Sequence, residues 1–360
     1  MKAAVCRAFG QDLSIEDIHL AEPDRGELRV KLKASAICHS DIFFLDGSWG
    51  GDLPAVYGHE AAGIVEAVGA DVRSVSPGDH VVVTLIRYCG ECHYCQREQN
   101  TLCEASFHLD ENSPLHDSLG EELTHGLRTG AFAEKVVVEA SQVCAIDKDI
   151  PFDVASLLAC GVLTGFGAVT NTVTVPPGSS VAVIGCGGVG LNSIQGAVHV
   201  KAGPIIAIDV VAEKLSAARL FGASHTINGR EDNTLEQIHR FTEGRGVDYV
   251  FVTVGAKSAI DEALTYLAKG GSAVIVGMPA SGVSSEYDPG TLASLGQRLI
   301  GSKMGSANVQ HDIPMLAAMY KEGTLKLDEL ISGRYPIENI NEAIALVKQG
   351  RALRNVIVFP

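Results

Sequence analysis

The hydrophobic rhythm of the chain changes near Asp153. Before it, short segments rich in Val, Ile and Ala (Leu28 to Ala34, Ala62 to Val68, His80 to Leu85 and Phe132 to Val138) are separated by turn residues such as Pro77-Gly78-Asp79. β-Branched runs bounded by Gly, Pro and Asp read as strands, so this part predicts an irregular, mostly β domain. After it, Ser180 to Ile184, Ile205 to Asp209, Tyr249 to Val254 and Ser272 to Val276 are continuous apolar runs, with helical stretches such as Ala212 to Phe221 and Lys257 to Leu267 among them. Strands apolar on both faces, alternating with helices, predict a doubly wound parallel sheet and an α/β fold class. Past Ser302 the pattern predicts amphipathic helices at Asp312 to Lys321 and Asn339 to Gln349, then a last strand at Asn355 to Phe359; this tail is assigned to the first domain.

A chain of 360 residues, 46% hydrophobic and 20% charged, has material for two domains with buried cores. Its net charge of −15 opposes phosphate backbones and anionic lipid, which argues against nucleic acid and membrane as partners. The apolar stretch Val181 to Val200 is broken by glycines, Asn192, Gln195 and His199, and the N-terminus carries no long apolar run, so a cytoplasmic protein is expected. Nine cysteines are an odd number, and four of them crowd into one segment, which favours reduced thiolates on a metal over disulfides.

That segment holds Cys89, Cys92, Cys95 and Cys103 in the spacing C-x2-C-x2-C-x7-C. Four close thiolates suit tetrahedral zinc and leave no position open, hence a structural site; an iron–sulfur cluster is the chemical competitor. Gly185-Cys186-Gly187-Gly188-Val189-Gly190 fits G-x-G-x-x-G between a predicted strand and helix, and Asp209 closes the next strand about twenty residues on. In a dinucleotide fold Gly185 permits the tight turn, Gly187 the approach of the pyrophosphate and Gly190 close helix packing. The acid accepts from the ribose hydroxyls and repels a 2′-phosphate, which favours NAD over NADP. Cys6, Cys144 and Cys186 have no ligand-like neighbours and read as small core residues.

Cys38 in Ile37-Cys38-His39-Ser40-Asp41, His59 in Gly58-His59-Glu60 and Cys160 in Ala159-Cys160-Gly161 are too far apart for spacing to unite them. With Gly58-His59-Glu60-Ala61-Ala62-Gly63, the four-cysteine lobe, the glycine fingerprint with Asp209, and Cys160-Gly161 followed by Thr164-Gly165, the whole chain resembles the zinc-containing medium-chain alcohol dehydrogenases. The resemblance implies a GroES-like catalytic domain over 1–161 and 303–360, with a structural zinc lobe at about 89–103, and a Rossmann NAD-binding domain over 162–302. It implies two zinc ions per chain and a homodimer or homotetramer acting on a small alcohol or aldehyde. Cys38, His59 and Cys160 would hold the catalytic zinc and leave one position open. Glu60 would approach or ligate the metal during exchange, and Asp41 would orient a ligand. Ser40 would take the alcohol proton. Thr164 and Val189 would lie against the nicotinamide, Gly188 within the phosphate loop, Lys214 near the adenosine ribose, and His39 and Arg354 near the pyrophosphate, His39 thereby bordering the catalytic centre. By residue type alone, His39 reads as a loop histidine and Arg354 as a solvated charge.

The alternatives are a dehydrogenase of polyols or glutathione adducts, and a zinc- and NAD-binding protein without turnover. Phe44 to Tyr57 with Trp49, and Glu104 to Gly130, are expected to border the substrate; the latter holds one arginine, Arg128, amid several acids, a poor seat for the glutathione carboxylates. Many relatives carry a histidine five residues after the first zinc cysteine, where this chain has Phe43, which cannot carry a proton.

Overall fold

A computed structural model of the chain describes residues 1–230 and 233–360. They form two compact units, Met1–Gly161 with Asn308–Pro360, and Val162–Ala307.

The first unit is built on two sheets. In the larger, Glu27–Ala36 pairs antiparallel with Glu60–Val68 on one side and with Arg354–Val358 on the other, and Lys135–Glu139 also pairs with it. His80–Val83 and Val143–Ala145 extend the sheet beyond Glu60–Val68, and Ile331–Pro336 lies beside Arg354–Val358. The smaller sheet runs Ser14–Asp17, Lys2–Cys6, Ala55–Val56, Glu122–His125, Leu115–His116, His19–Leu20. Apolar residues of both, including Val5, Leu28, Val30, Leu32, Val65, Val81, Leu115 and Phe132, share one core with Ile340, Ile344 and Ile357 from the tail. Phe132 stands outside the strand expected for it. Residues 131–134 instead bond to Gly58, Tyr57 and Lys2, and strand pairing with Glu27–Ala36 starts at Lys135.

The second unit is a six-stranded parallel sheet in the order His225–Asn228, Ile205–Asp209, Val181–Ile184, Val247–Val252, Leu267–Ile275, Arg298–Gly301. Counted along the chain this is 3-2-1-4-5-6, the doubly wound dinucleotide-binding order. The helix expected over Lys257 to Leu267 is shorter: it is α-helical over Lys257–Glu262, tightens to a 3₁₀ turn over Ala263–Tyr266, and Leu267 already belongs to the next strand. Residues 303–307 belong to this unit because the turn Met304–Ser306 packs on the helix Leu163–Gly167, where a Cβ on Gly305 would lie 2.5 Å from the Leu163 carbonyl oxygen.

The helical run Phe152–Thr172 is apolar and long enough to cross a membrane, but 89% of its apolar window is buried within the protein, as in a core helix. It is interrupted by two π-helical segments, Leu158–Val162 and Ala168–Thr172. Such bulges insert an extra residue per turn and re-aim side chains, often at functional sites.

Candidate active site

In the first unit the chain brings together three residues that spacing could not unite. Ligand atoms of Cys38, His59, Glu60 and Cys160 lie within 4.8 Å of one another, and all four residues are buried. Each comes from a different piece of backbone. Cys38 caps the helix His39–Leu45, His59 and Glu60 open the strand Glu60–Val68, and Cys160 sits at the middle of the first π-helical segment. Gly58 turns the chain into that strand with φ of +94°, and a Cβ there would lie 2.6 Å from the Phe132 amide nitrogen, so no other residue fits.

Asp41, with no exposed surface, ties these pieces together. Its Oδ1 lies 2.9 Å from His59 Nδ1 and accepts from the Gly58 amide at 3.1 Å, while Oδ2 accepts from the Cys38 amide at 2.9 Å. The ring nitrogen facing the carboxylate is thereby the protonated one, and Nε2 is left buried without a hydrogen-bond partner. An unpartnered imidazole nitrogen beside two thiols is the donor set of a three-ligand zinc site, and the group fits it. The Cys38 thiol is held well below its ordinary range, chiefly by the Cys160 sulfhydryl donating to it, with the His59 ring adding to the effect. His59 is raised well above its ordinary value: burial opposes the charged ring, and Asp41 together with Cys38 more than offsets it.

Arg354 is not a solvated charge. Its guanidinium is buried against the Glu60 carboxylate, and a Cβ on Gly161 would stand only 3.0 Å from Arg354 Nη1. The Cys160-Gly161 pair therefore joins a thiol of the cluster to the space the arginine needs. Burial pushes Glu60 up to about 7, and Arg354 works against that rise. Sequence reasoning missed this ion pair because its partners stand at opposite ends of the chain. His39 is exposed on the first turn of its helix, and Ser40 Oγ lies 3.8 Å from Cys38 Sγ. One turn further along, Phe43 stacks on Trp49 at 5.0 Å between ring centroids, and Phe44 stacks on Tyr57 at 5.5 Å.

The four-cysteine lobe forms a second cluster. Sγ atoms of Cys89 and Cys95 are 4.0 Å apart, those of Cys92 and Cys103 4.0 Å, and those of Cys103 and Cys89 3.7 Å. Tetrahedral zinc with bonds of about 2.3 Å spaces its sulfurs about 3.8 Å apart, so the lobe matches a closed zinc site. Amides of Cys89 and Cys92 donate to Cys103 and Cys89 sulfurs, and amides hold the Cys92 thiol down at about 6. Cys6, Cys144 and Cys186 are buried.

In the second unit, Gly187 precedes the helix Gly188–His199, and nothing lies within 4 Å of a Cβ placed on it, an open cradle at the helix start. A Cβ on Gly190 would lie 1.8 Å from the Gly185 carbonyl oxygen, so the helix seats close against the turn. Asp209 ends its strand with Oδ2 accepting from the Cys186 amide at 2.7 Å and Oδ1 from Val210 and Val211 amides. Gly165, the residue after Thr164, packs against Val189, where a Cβ on it would lie 2.1 Å from the Val189 carbonyl oxygen. Lys214 lies on the first turn of the helix Ala212–Leu220.

Comparisons with known proteins agree with these two halves. Residues 24–148 match the alcohol dehydrogenase GroES-like domain and residues 188–322 the zinc-binding dehydrogenase domain. S-(hydroxymethyl)glutathione dehydrogenase of Saccharomyces cerevisiae is 38% identical, over 99% of this chain and 95% of its own. An alcohol dehydrogenase zinc-binding domain protein from Burkholderia ambifaria superposes with a TM-score of 0.95 at 34% identity, covering 100% of this chain and 98% of that one. Benzyl alcohol dehydrogenase from Acinetobacter calcoaceticus superposes with a TM-score of 0.92 at 30% identity, covering 100% and 99%. With a GroES-like unit bearing a three-donor cluster and a cysteine lobe, and a doubly wound unit bearing the glycine cradle, the chain belongs to the zinc-containing medium-chain alcohol dehydrogenases, oxidoreductases that interconvert alcohols with aldehydes or ketones.

Proposed function

We propose that this enzyme oxidises a small apolar or aromatic alcohol with NAD, using a catalytic zinc held by Cys38, His59 and Cys160, and that the cysteine lobe holds a second, structural zinc. The observation that carries the reading is the buried, unpartnered Nε2 of His59 beside the two sulfurs, fixed from behind by Asp41. When bound, zinc supplies a Lewis acid that lowers the pKa of the alcohol hydroxyl, and the nicotinamide accepts the hydride. Ser40 holds the alcohol proton and passes it on toward the cofactor ribose, and Glu60 stands by for ligand exchange, held off by Arg354. Thr164 and Val189 border the nicotinamide, Lys214 the adenosine ribose, and His39 and Arg354 the pyrophosphate. Phe43 and Phe44 follow Ser40 on its helix, Trp49 in the turn beyond packs on both, and these rings favour an apolar substituent.

Asp209 supports NAD over NADP, because a carboxylate at the strand end repels a 2′-phosphate. Kinship with the yeast relative favours a glutathione adduct as the second reading. Its carboxylates need cations, however, and Arg128 is already paired with Asp110 at 3.3 Å. Reduced thiolates, as the six cysteines read as zinc ligands require, support placement in the reducing cytoplasm, and the family supports a homodimer or homotetramer. The test is NADH formation from a panel of aliphatic, aromatic, polyol and glutathione-adduct alcohols, run with NAD and with NADP. The reading expects turnover of apolar alcohols with NAD. Tight NAD binding with no turnover of any alcohol overturns it.

A further inference from the structure

We propose that Thr84 is a positioning residue for the catalytic metal centre, its hydroxyl holding the π-helical segment that carries Cys160; the inference rests on the reading of Cys38, His59 and Cys160 as zinc ligands. Thr84 follows the strand His80–Val83 and is fully buried. Its backbone is pinned on both sides by Gln142, itself fully buried: the Thr84 amide donates to the Gln142 carbonyl at 2.9 Å, and Gln142 Nε2 donates to the Thr84 carbonyl at 2.9 Å. Thr84 Oγ1 accepts from the Ile86 amide at 3.4 Å and donates to the Ala159 carbonyl oxygen at 2.6 Å. A hydroxyl that accepts from one side has its proton aimed at the other, so the bond to Ala159 is directed by a rigid strand end.

Ala159 immediately precedes Cys160, in the middle of the π-helical stretch Leu158–Val162. A π turn is intrinsically less favourable than the α-helix on either side and survives where the surroundings hold it. Relaxing it to α would shift every later residue by a step of about 100° around the helix axis and turn the Cys160 sulfur away from His59. The Thr84 hydroxyl holds the carbonyl at this point. A Val in a strand end that already reads Val81-Val82-Val83 would serve the core equally well, so the hydroxyl is the informative atom.

The test compares Thr84→Val, which keeps the shape without the hydroxyl, with Thr84→Ser, which keeps the hydroxyl. Release of zinc from the folded enzyme to dipicolinate is followed with a metallochromic dye, and the visible absorption of the cobalt-substituted enzyme reports the ligand geometry. In Thr84→Val one of the two ions should leave about 10–100 times faster, with a changed cobalt band, while the other leaves as in the wild type. Thr84→Ser should behave as the wild type in both measurements. Where Thr84→Val does not fold, Thr84→Ala against Thr84→Ser makes the same comparison. Equal release rates and identical cobalt spectra in the hydroxyl-lacking variant and the wild type overturn the proposal. Cys160→Ser, run in parallel, separates this from the underlying reading: if it too keeps both ions, the assignment of the ligands fails, and if it alone loses one, only the role of Thr84 does.

Discussion

Asp41 Oδ1 lies 2.9 Å from His59 Nδ1, and the same carboxylate accepts from the backbone amides of Cys38 and Gly58. One buried side chain thus sets the tautomer of the histidine and the positions of both backbone segments that present metal donors. Asp41→Asn preserves the shape but turns an NH2 group toward one of those donors. The expected outcome is a 10–100-fold loss of affinity at the catalytic zinc, with the lobe zinc retained, read as zinc per chain after dialysis against a graded chelator series. Unchanged affinity would mean that the carboxylate does not orient the ligand.

Asp209 accepts from the Cys186, Val210 and Val211 amides, a structural task beside the one proposed for it at the ribose. Asp209→Gly should raise KM for NAD and lower the NAD-to-NADP preference together, because the loop loses its anchor while the 2′-phosphate loses its repulsion. Steady-state kinetics with both cofactors decide it. A wild type that already prefers NADP contradicts this account of Asp209.

Ser40 is expected to carry the first proton, and Phe43 stacks on Trp49 where a relay histidine would stand. Ser40→Ala should lower kcat for alcohol oxidation by roughly 10²–10⁴-fold. Phe43→His should raise the oxidation rate at mildly acidic pH, because an imidazole titrating near neutrality accepts a proton there. The kcat pH profile, with a deuterated alcohol establishing that chemistry limits the rate, makes the comparison. A profile unchanged by Phe43→His would show that the proton leaves by another route.

Burial pushes the Glu139 carboxyl up to about 7 against the pull of Arg87, with Glu27 and Asp110 adding to the rise. Its folded pKa lies above the unfolded value of 4.5, so between pH 4.5 and 7 the unfolded chain has already lost a proton that the folded chain keeps. The contribution of this group to stability therefore falls as pH rises through that window. Glu139→Gln, neutral at every pH, should match the wild-type Tm near pH 4.5 and exceed it above pH 7. Parallel Tm curves for the two proteins would contradict this.

Much of the fold was legible because its signals are local. The parallel strands read as unbroken apolar runs, with Ile205–Asp209 found to the residue, and the cysteine lobe and glycine loop carry their spacing within a few residues. What escaped was set by partners distant in the chain. Arg354 reads as solvent-facing until Glu60 is brought beside it, and Thr84 reads as a strand residue until the Ala159 carbonyl arrives. Strand pairing displaced Phe132, whose amide donates to the Tyr57 carbonyl, as that of Ala131 does to Gly58, before the regular ladder begins. The cluster of Cys38, His59 and Cys160 lies between these cases: its members were named through resemblance, and their convergence required the fold.

The central claim is that seven ligands divide into a closed structural site and an open catalytic one. It is tested most directly by elemental analysis of zinc per chain in the wild type, Cys160→Ala and Cys92→Ala, with thermal melting of the same samples. The account predicts two zinc ions in the wild type. Cys160→Ala should hold one, with a Tm near that of the wild type and no turnover, and Cys92→Ala should hold one, with a clearly lowered Tm. A wild type that binds a single zinc, or iron in the cysteine lobe, or a Cys160→Ala variant that keeps both ions, would contradict it.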